Sequence, residues 1–382
     1  MTDLRVLRMQ GGIANWTFVK IYTDSDVTGV GEASLERFDE AVVKVLEEFK
    51  DFLVGKDPFQ VEYLWTALYK STFWYGQLIV LTALSGVEQA LWDIKGKALG
   101  VPVYEFLGGK LRDKVRAYAN AWAFQGPPTL MTAKDTPEAV ARNAQEMVAK
   151  GFTAMKWDPF REGGQVIPKT EEEFAVECVK TVREAVGPSI DLLIECHGRF
   201  NMWSAIRMAR KLEPFDPFFY EEPVPPDNID AMAEVQRAIN LPVATGERLY
   251  TRWDFRPLLE KQAARIIQPD ICHCGGILEL KKIAAMAETC YVAVQPHNPN
   301  GPIGTLASLH LDASIPNVIF QEFFVPYLEE YNEIITEPIK YQDGYLEIPT
   351  SPGLGTDIRE EVIRRRPPQP QPYLATWTGS YW

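Results

Sequence analysis

Residues 191–200 read DLLIECHGRF. A mostly apolar run leads into Glu195, Cys196 and His197, and Gly198 then breaks the pattern. Residues two apart on a β-strand point to the same side. Glu195 and His197 are therefore expected to share a face where a hydrophobic strand ends. The same arrangement recurs along the chain. VRAYANAW, FTAMKWD, DLLIECH, PFFYEE, LPVATGE, ARIIQPD, YVAVQPH and NVIFQE make eight strand candidates. Amphipathic stretches such as AVECVKTVREAVG and LELKKIAAMAETC lie between them. Eight βα units between residues 115 and 334 predict one (β/α)8 barrel, an α/β fold.

Residues 1–114 read differently. NWTFVKIYTDSDVTGVGEAS is β-rich around a turn at Asp24–Asp26, and GQLIVLTALSGVEQALWDIKGKALG predicts a long buried helix ending at Gly100. This predicts an α+β capping domain over 1–114, completed by a C-terminal segment, 335–382, that returns to it. The RRR run that opens RRRPPQPQPYLATWTGSYW is expected to be a solvated surface.

Composition bounds the function. The 382 residues are 46% hydrophobic and 24% charged, as in a soluble globular protein large enough for two domains. A net charge of -13 argues against nucleic acid, which is bound through basic faces. Five cysteines without regular spacing do not suggest a disulfide framework. The first residues lack a signal-peptide layout, and no apolar run suffices to span a bilayer. A cytoplasmic setting is expected, with no membrane partner.

Seven consecutive strand candidates end on ionisable residues: Lys156 with Asp158, Glu195 with His197, then Glu221, Glu247, Asp270, His297 and Glu322. From 195 onward the intervals are 26, 26, 23, 27 and 25 residues. In a barrel these positions converge on the C-terminal face, where active sites are built. Glu195, Glu221 and Glu247 would lie on adjacent strands. Three carboxylates so close repel one another, and a hard divalent cation relieves the repulsion; an all-oxygen set suits Mg2+, one per subunit. Asp270 and His297 read as a general base, the carboxylate fixing the tautomer and raising the basicity of the imidazole. Lys156 is placed to clamp a substrate carboxylate or to neutralise a forming anion, and Glu322 to hydrogen-bond that anion if protonated.

Other candidates are weaker. Cys272, His273 and Cys274 are neighbours that cannot all face one metal, and no fourth ligand is evident. His310 lies in a predicted helix, and GGIANW lacks the spacing of a nucleotide fingerprint.

These residues carry a family resemblance. ALWDIKGKALGVPVYEFLGG, EEP at 221–223, GER at 246–248, QPD at 268–270, PHNPNGPIG at 296–304 and QE at 321–322 resemble the enolase superfamily, in its mandelate-racemase-like branch. That resemblance implies abstraction of the proton α to a carboxylate, with a Lys or His base and Mg2+ stabilising the enediolate. HGRFN and HNPNGPIG resemble the galactonate and gluconate dehydratases. This implies that His297 is the base and His197 the acid that protonates the departing β-hydroxyl. Two departures stand out: Glu195 replaces the Asp common at the first ligand, and KWD replaces Lys-x-Lys, putting Asp158 where racemases carry a second base. A base on one face favours one-way elimination.

The expected protein is thus an Mg2+-dependent aldonate dehydratase giving a 2-keto-3-deoxy acid, with galactonate or gluconate as substrate and a homo-oligomeric state. Substrate contacts are expected from Lys156, Asp158, Arg199, Asn298 and Trp16, and from the loops GGIANW and STFWYG over the barrel mouth. The alternatives are an acid-sugar epimerase or cycloisomerase, or a barrel that only binds an acid sugar.

Overall fold

A computed structural model describes residues 1–12, 14–71, 74, 77–123, 135–161 and 163–370. The chain opens with an antiparallel meander of β1 (Asp3–Gln10), β2 (Asn15–Tyr22) and β3 (Thr28–Glu32). Helices α1 (Asp39–Leu53), α2 (Val61–Lys70) and α3 (Leu78–Leu99) follow. Helix α3 is buried along most of Leu81–Ile94 and stops at Gly100, whose φ of 70° is a left-handed cap. It crosses β3 closely because both surfaces are glycine: a Cβ on Gly31 would stand 1.9 Å from the Gly86 carbonyl oxygen.

Eight strands then alternate with eight helices. They are β4 (Lys114–Asn120), α4 (Pro137–Ala149), β5 (Ala154–Trp157), α5 (Lys169–Val186), β6 (Asp191–Glu195), α6 (Met202–Leu212), β7 (Phe219–Glu221), α7 (Ile229–Ala238), β8 (Val243–Thr245), α8 (Thr251–Glu260), β9 (Ile266–Ile267), α9 (Ile277–Thr289), β10 (Ala293–Val294), α10 (Pro302–Ser314), β11 (Gln321–Phe324) and α11 (Leu328–Ile334). β4 to β10 pair in sequence order and in parallel, β11 pairs with β4, and a parallel bridge between Val294 and Val318 closes the ring. The result is the predicted barrel, and all eight strand candidates contribute to it. Side-chain caps start several helices: Thr136 before Pro137 in α4, Asn201 in α6 and Asn228 in α7 each accept a backbone N–H.

The last segment divides its packing. The hairpin β12 (Tyr341–Gln342) and β13 (Tyr345–Glu347) does not join the first domain as expected; β13 pairs antiparallel with the barrel strand β4. The residues beyond it do reach the first domain. Leu354 N–H donates to Asp93, and Lys20 binds Asp357. The run Arg364–Arg366 lies at the surface, as expected, and is ion-paired there. In α12 (Glu360–Arg365) Arg364 pairs with Glu360, and Arg366 just after it pairs with Glu330 and Glu333. Residues 371–382 lie outside the described residues. Among the described residues, no helix is long and apolar enough to cross a membrane.

Inside the ring, Tyr118, Ala154, Leu193, Phe219, Ala244, Ile266 and Phe320 form a separate buried cluster. Each comes from a barrel strand or the residue leading into it, so together they make a packed layer across the interior. This layer is the floor of the site. Two residues further on, the same alternation returns to the interior and delivers Asn120, Lys156, Glu195, Glu221, Gln268 and Glu322.

Candidate active site

Above the floor lie four carboxylates and one ammonium. Glu195, Glu221 and Glu247 each offer an oxygen, and the three lie within 4.8 Å of one another. Lys156 Nζ stands 2.6 Å from Glu221 Oε1, 3.2 Å from Glu195 Oε2 and 3.2 Å from Glu322 Oε1. One lysine cannot balance this charge. Burial, and then the charge of Glu195, raises the Glu221 carboxyl well above its usual range. Burial alone would also raise Glu195, but His197 and Lys156 outweigh it and hold that group below. Glu221 Oε2 is buried without a hydrogen-bond partner. Three converging oxygens, an orphaned carboxylate oxygen and surplus negative charge fit a hard divalent cation.

The two histidines stand at the open side. Their side chains are 23% (His197) and 18% (His297) exposed, against 4% for Lys156 and 0% for Glu221 and Glu322. His297 Nδ1 lies 2.8 Å from Asp270 Oδ2, and its Nε2 lies 3.3 Å from Glu247 Oε2. Asp270 is itself fixed by the Cys272 N–H and the Asn300 amide. Burial alone would lower the His297 imidazole, but Glu247, the Asp270 hydrogen bond and Glu322 raise it to about 10. A cation shared by the carboxylates would remove part of that pull.

The strand reasoning needs one correction. β6 ends at Glu195, and His197 lies in the turn beyond it with φ at 50°, a left-handed conformation unfavourable to a residue with a Cβ. The alternation of the strand therefore does not place His197. Instead its N–H donates to Glu195 Oε1 at 2.6 Å, and its Nδ1 lies 2.6 Å from Asp158 Oδ2. Asp270 and His297 likewise sit three residues beyond β9 and β10.

Several expected substrate contacts are turned elsewhere. Asp158 is 2% exposed; Oδ2 meets His197 and the Arg199 guanidinium, and Oδ1 accepts the Phe160 N–H. Both oxygens are engaged within the protein, so it is not presented to a sugar hydroxyl. Arg199 is 1% exposed and donates to the carbonyls of Cys196 and Arg161 as well as to Asp158. Asn298 is 1% exposed; its amide nitrogen donates to Thr305 and to the Glu322 carbonyl, and its N–H to Glu322 Oε2, while its Oδ1 is buried without a hydrogen-bond partner. Trp16, also 1% exposed, packs on Tyr331 with ring centroids 5.3 Å apart. Glu322 is placed to hydrogen-bond the anion only if protonated. Burial raises its carboxyl, but Lys156, His297, the Asn298 N–H and the Asn120 amide together lower it. Oε1 meets the Asn120 amide and Lys156, and Oε2 accepts the Asn298 N–H.

Of the two expected specificity loops, GGIANW reaches the barrel mouth: Gly12 packs on the Tyr327 ring beyond β11. Ile13 in that loop, and Thr72, Phe73, Tyr75 and Gly76 of STFWYG, lie outside the described residues. Three residues near the site were not anticipated. Asn120 donates to Glu322 Oε1 at 2.7 Å, and its place two residues beyond Tyr118 would have revealed it. His273 Nε2 lies 3.8 Å from Asp270 Oδ2 while Nδ1 meets Thr82. Glu36, after β3, is close enough for the charges of His297, Glu247 and His197 to act on it; nothing local in the sequence marks it.

Comparison with known proteins follows the same outline. Residues 139–362 match the family described as enolase C-terminal domain-like, and residues 9–108 the mandelate racemase / muconate lactonizing enzyme N-terminal domain. The chain is 38% identical over 359 residues to a D-galactonate dehydratase of Pectobacterium atrosepticum, covering 92% of this chain and 91% of that one. It is 37% identical over 357 residues to a D-galactonate dehydratase of Ralstonia pickettii, with the same coverage. Among solved structures, a member of the enolase superfamily from Salmonella Typhimurium is 34% identical with a TM-score of 0.90, covering 96% of this chain and 98% of that one. A mandelate racemase/muconate lactonizing enzyme-like protein from Roseovarius is 37% identical with a TM-score of 0.90, covering 96% and 95%.

Proposed function

The chain belongs to the enolase superfamily, in the mandelate racemase / muconate lactonizing enzyme family, and on that premise we propose that it dehydrates an aldonate to a 2-keto-3-deoxy acid. It is an enzyme of the lyase class, as the relatives named D-galactonate dehydratase indicate. Those names favour galactonate, with gluconate as the next substrate to try. The observation that carries the reading is the pairing of a three-carboxylate cluster with two imidazoles, each held at Nδ1 by a buried aspartate.

Glu195, Glu221 and Glu247 would hold one Mg2+, which supplies positive charge where the substrate carboxylate gains negative charge. Lys156 adds a fixed ammonium beside the same place. His297 takes the proton from C2 through Nε2, because Nδ1 is committed to Asp270. Elimination then breaks the C3–O bond. His197 gives its proton to the departing oxygen, water leaves, and the enol becomes the keto acid. Five cysteines without a disulfide suit the cytoplasmic setting we assign.

The test is a panel of aldonates and aldarates, each incubated with Mg2+ and assayed for keto acid as the semicarbazone. Turnover of one or a few aldonates is expected. Epimer formation without keto acid would replace the dehydratase reading with an epimerase, and binding without C2 exchange would leave only a sugar-acid receptor.

A further inference from the structure

We propose that Asp158 is the positioning residue of His197, fixing the imidazole by Nδ1 so that Nε2 is the nitrogen that gives up the proton. The inference rests on the reading of His197 as the acid of the elimination. A carboxylate can only accept, so the 2.6 Å contact between Asp158 Oδ2 and His197 Nδ1 places a hydrogen on Nδ1. The nitrogen left to exchange a proton with anything else is Nε2. The ring is held a second time through the backbone, where the His197 N–H donates to Glu195 in a left-handed turn.

Asp158 is held as firmly as the residue it holds. Its other oxygen accepts the Phe160 N–H at 2.9 Å, and the Arg199 guanidinium reaches Oδ2. Arg199 is in turn anchored on the carbonyls of Cys196 and Arg161, at 3.0 and 3.1 Å. The carboxylate thus has a cationic partner without His197. A charge that is already paired does not need the imidazole for its own burial; the contact instead serves the imidazole, which stands at the open side of the site. Across the mouth, Asp270 holds His297 by the same nitrogen at 2.8 Å. The two ring mounts match. In the step this serves, the proton passes from Nε2 to the hydroxyl oxygen as the C3–O bond breaks. Water departs, and the neutral imidazole keeps its Nδ1 hydrogen on Asp158.

The test compares wild type, Asp158→Asn, Asp158→Glu, His197→Asn and the double variant Asp158→Asn/His197→Asn. Each is the full chain with Mg2+ and an aldonate that the wild type turns over. Keto-acid formation gives kcat and KM, and NMR in D2O gives C2 exchange. Asp158→Asn should lower kcat for keto acid by at least about 10-fold, with KM little changed and C2 exchange continuing. Asp158→Glu should recover part of the loss. The double variant should be no slower than His197→Asn, because the two residues act as one unit. Full dehydration by Asp158→Asn, or equal loss of exchange and dehydration in it, overturns the positioning role. So does a double variant well below His197→Asn, a comparison that stands even if the single variant folds poorly. Keto-acid formation at the wild-type rate by His197→Asn overturns instead the assignment of His197 as the acid.

Discussion

Lys156 Nζ lies 2.6 Å from Glu221 Oε1, in a gap where this buried ammonium meets three carboxylates at once. Glu221 is also the carboxylate whose second oxygen has no partner. It would therefore stand between the lysine it already binds and a cation held by the three-carboxylate cluster. Glu221→Gln should remove most Mg2+ affinity in calorimetric titration and most activity, while the circular dichroism of the barrel is retained. Excess EDTA should abolish turnover by the wild type. Full activity in EDTA would sink the metal reading.

The two imidazoles should fail in different ways. Each positioned acid or base contributes about 10²–10⁴-fold. His297→Asn should suppress both C2 exchange and dehydration. His197→Asn should lose dehydration by at least about 10²-fold and still wash solvent deuterium into C2. The mirror result would exchange the assigned roles.

Stereochemistry follows from where the basic nitrogens are. Asp158 is engaged by His197 and Arg199 and offers no second base to the opposite face of C2. One C2 epimer alone should react, and deuterium should enter from the His297 side. Chiral analysis of recovered substrate checks this, and equal consumption of both epimers would refute it.

A fourth prediction concerns stability. Glu32 accepts the N–H groups of Gly301 and Gly304 and the Ser34 hydroxyl, joining β3 to the start of α10. Burial raises its carboxyl from 4.5 to about 7, its hydrogen bonds only partly opposing this. The folded protein thus holds this proton more tightly than the unfolded chain, a contribution fully present below about pH 4.5 and lost as pH rises through about 7. Glu32→Gln has no proton to lose. From pH 4.5 to 7 the variant should gain on the wild type by about 3 kcal/mol, on top of a constant cost for turning an amide N–H toward a backbone donor. Urea midpoints across that range measure it, and parallel curves would contradict it.

Much of the site was legible because its residues obey the strand period. Lys156, Glu195, Glu221 and Glu322 each stand two positions beyond a floor residue, Ala154, Leu193, Phe219 and Phe320, so alternation and apolar context suffice to bring them together. Asp270 and His297 were readable as a pair although they lie in loops. The rest depends on distance in space. No local pattern tells that the Arg199 guanidinium is spent on the backbone and on Asp158, that the Asn298 amide nitrogen is spent on Thr305 and the Glu322 carbonyl, or that Trp16 is covered by Tyr331. His197 was found for an incomplete reason: a left-handed turn and an aspartate just beyond the neighbouring strand hold it, and neither follows from a two-residue period.

The layer of seven side chains from Tyr118 to Phe320 closes the barrel beneath the site, while the two histidines stand at its open side. On the proposed reaction, substrate, cation and the water released from C3 would all pass through the mouth beside the two histidines. Traffic would then be sequential: the keto acid would have to clear the entrance before the next sugar acid could seat. On the same reading the proton taken by His297 would leave by that mouth, so deuterium appearing at C2 would serve as a clock, counting how often the proton meets bulk solvent within the lifetime of one bound molecule.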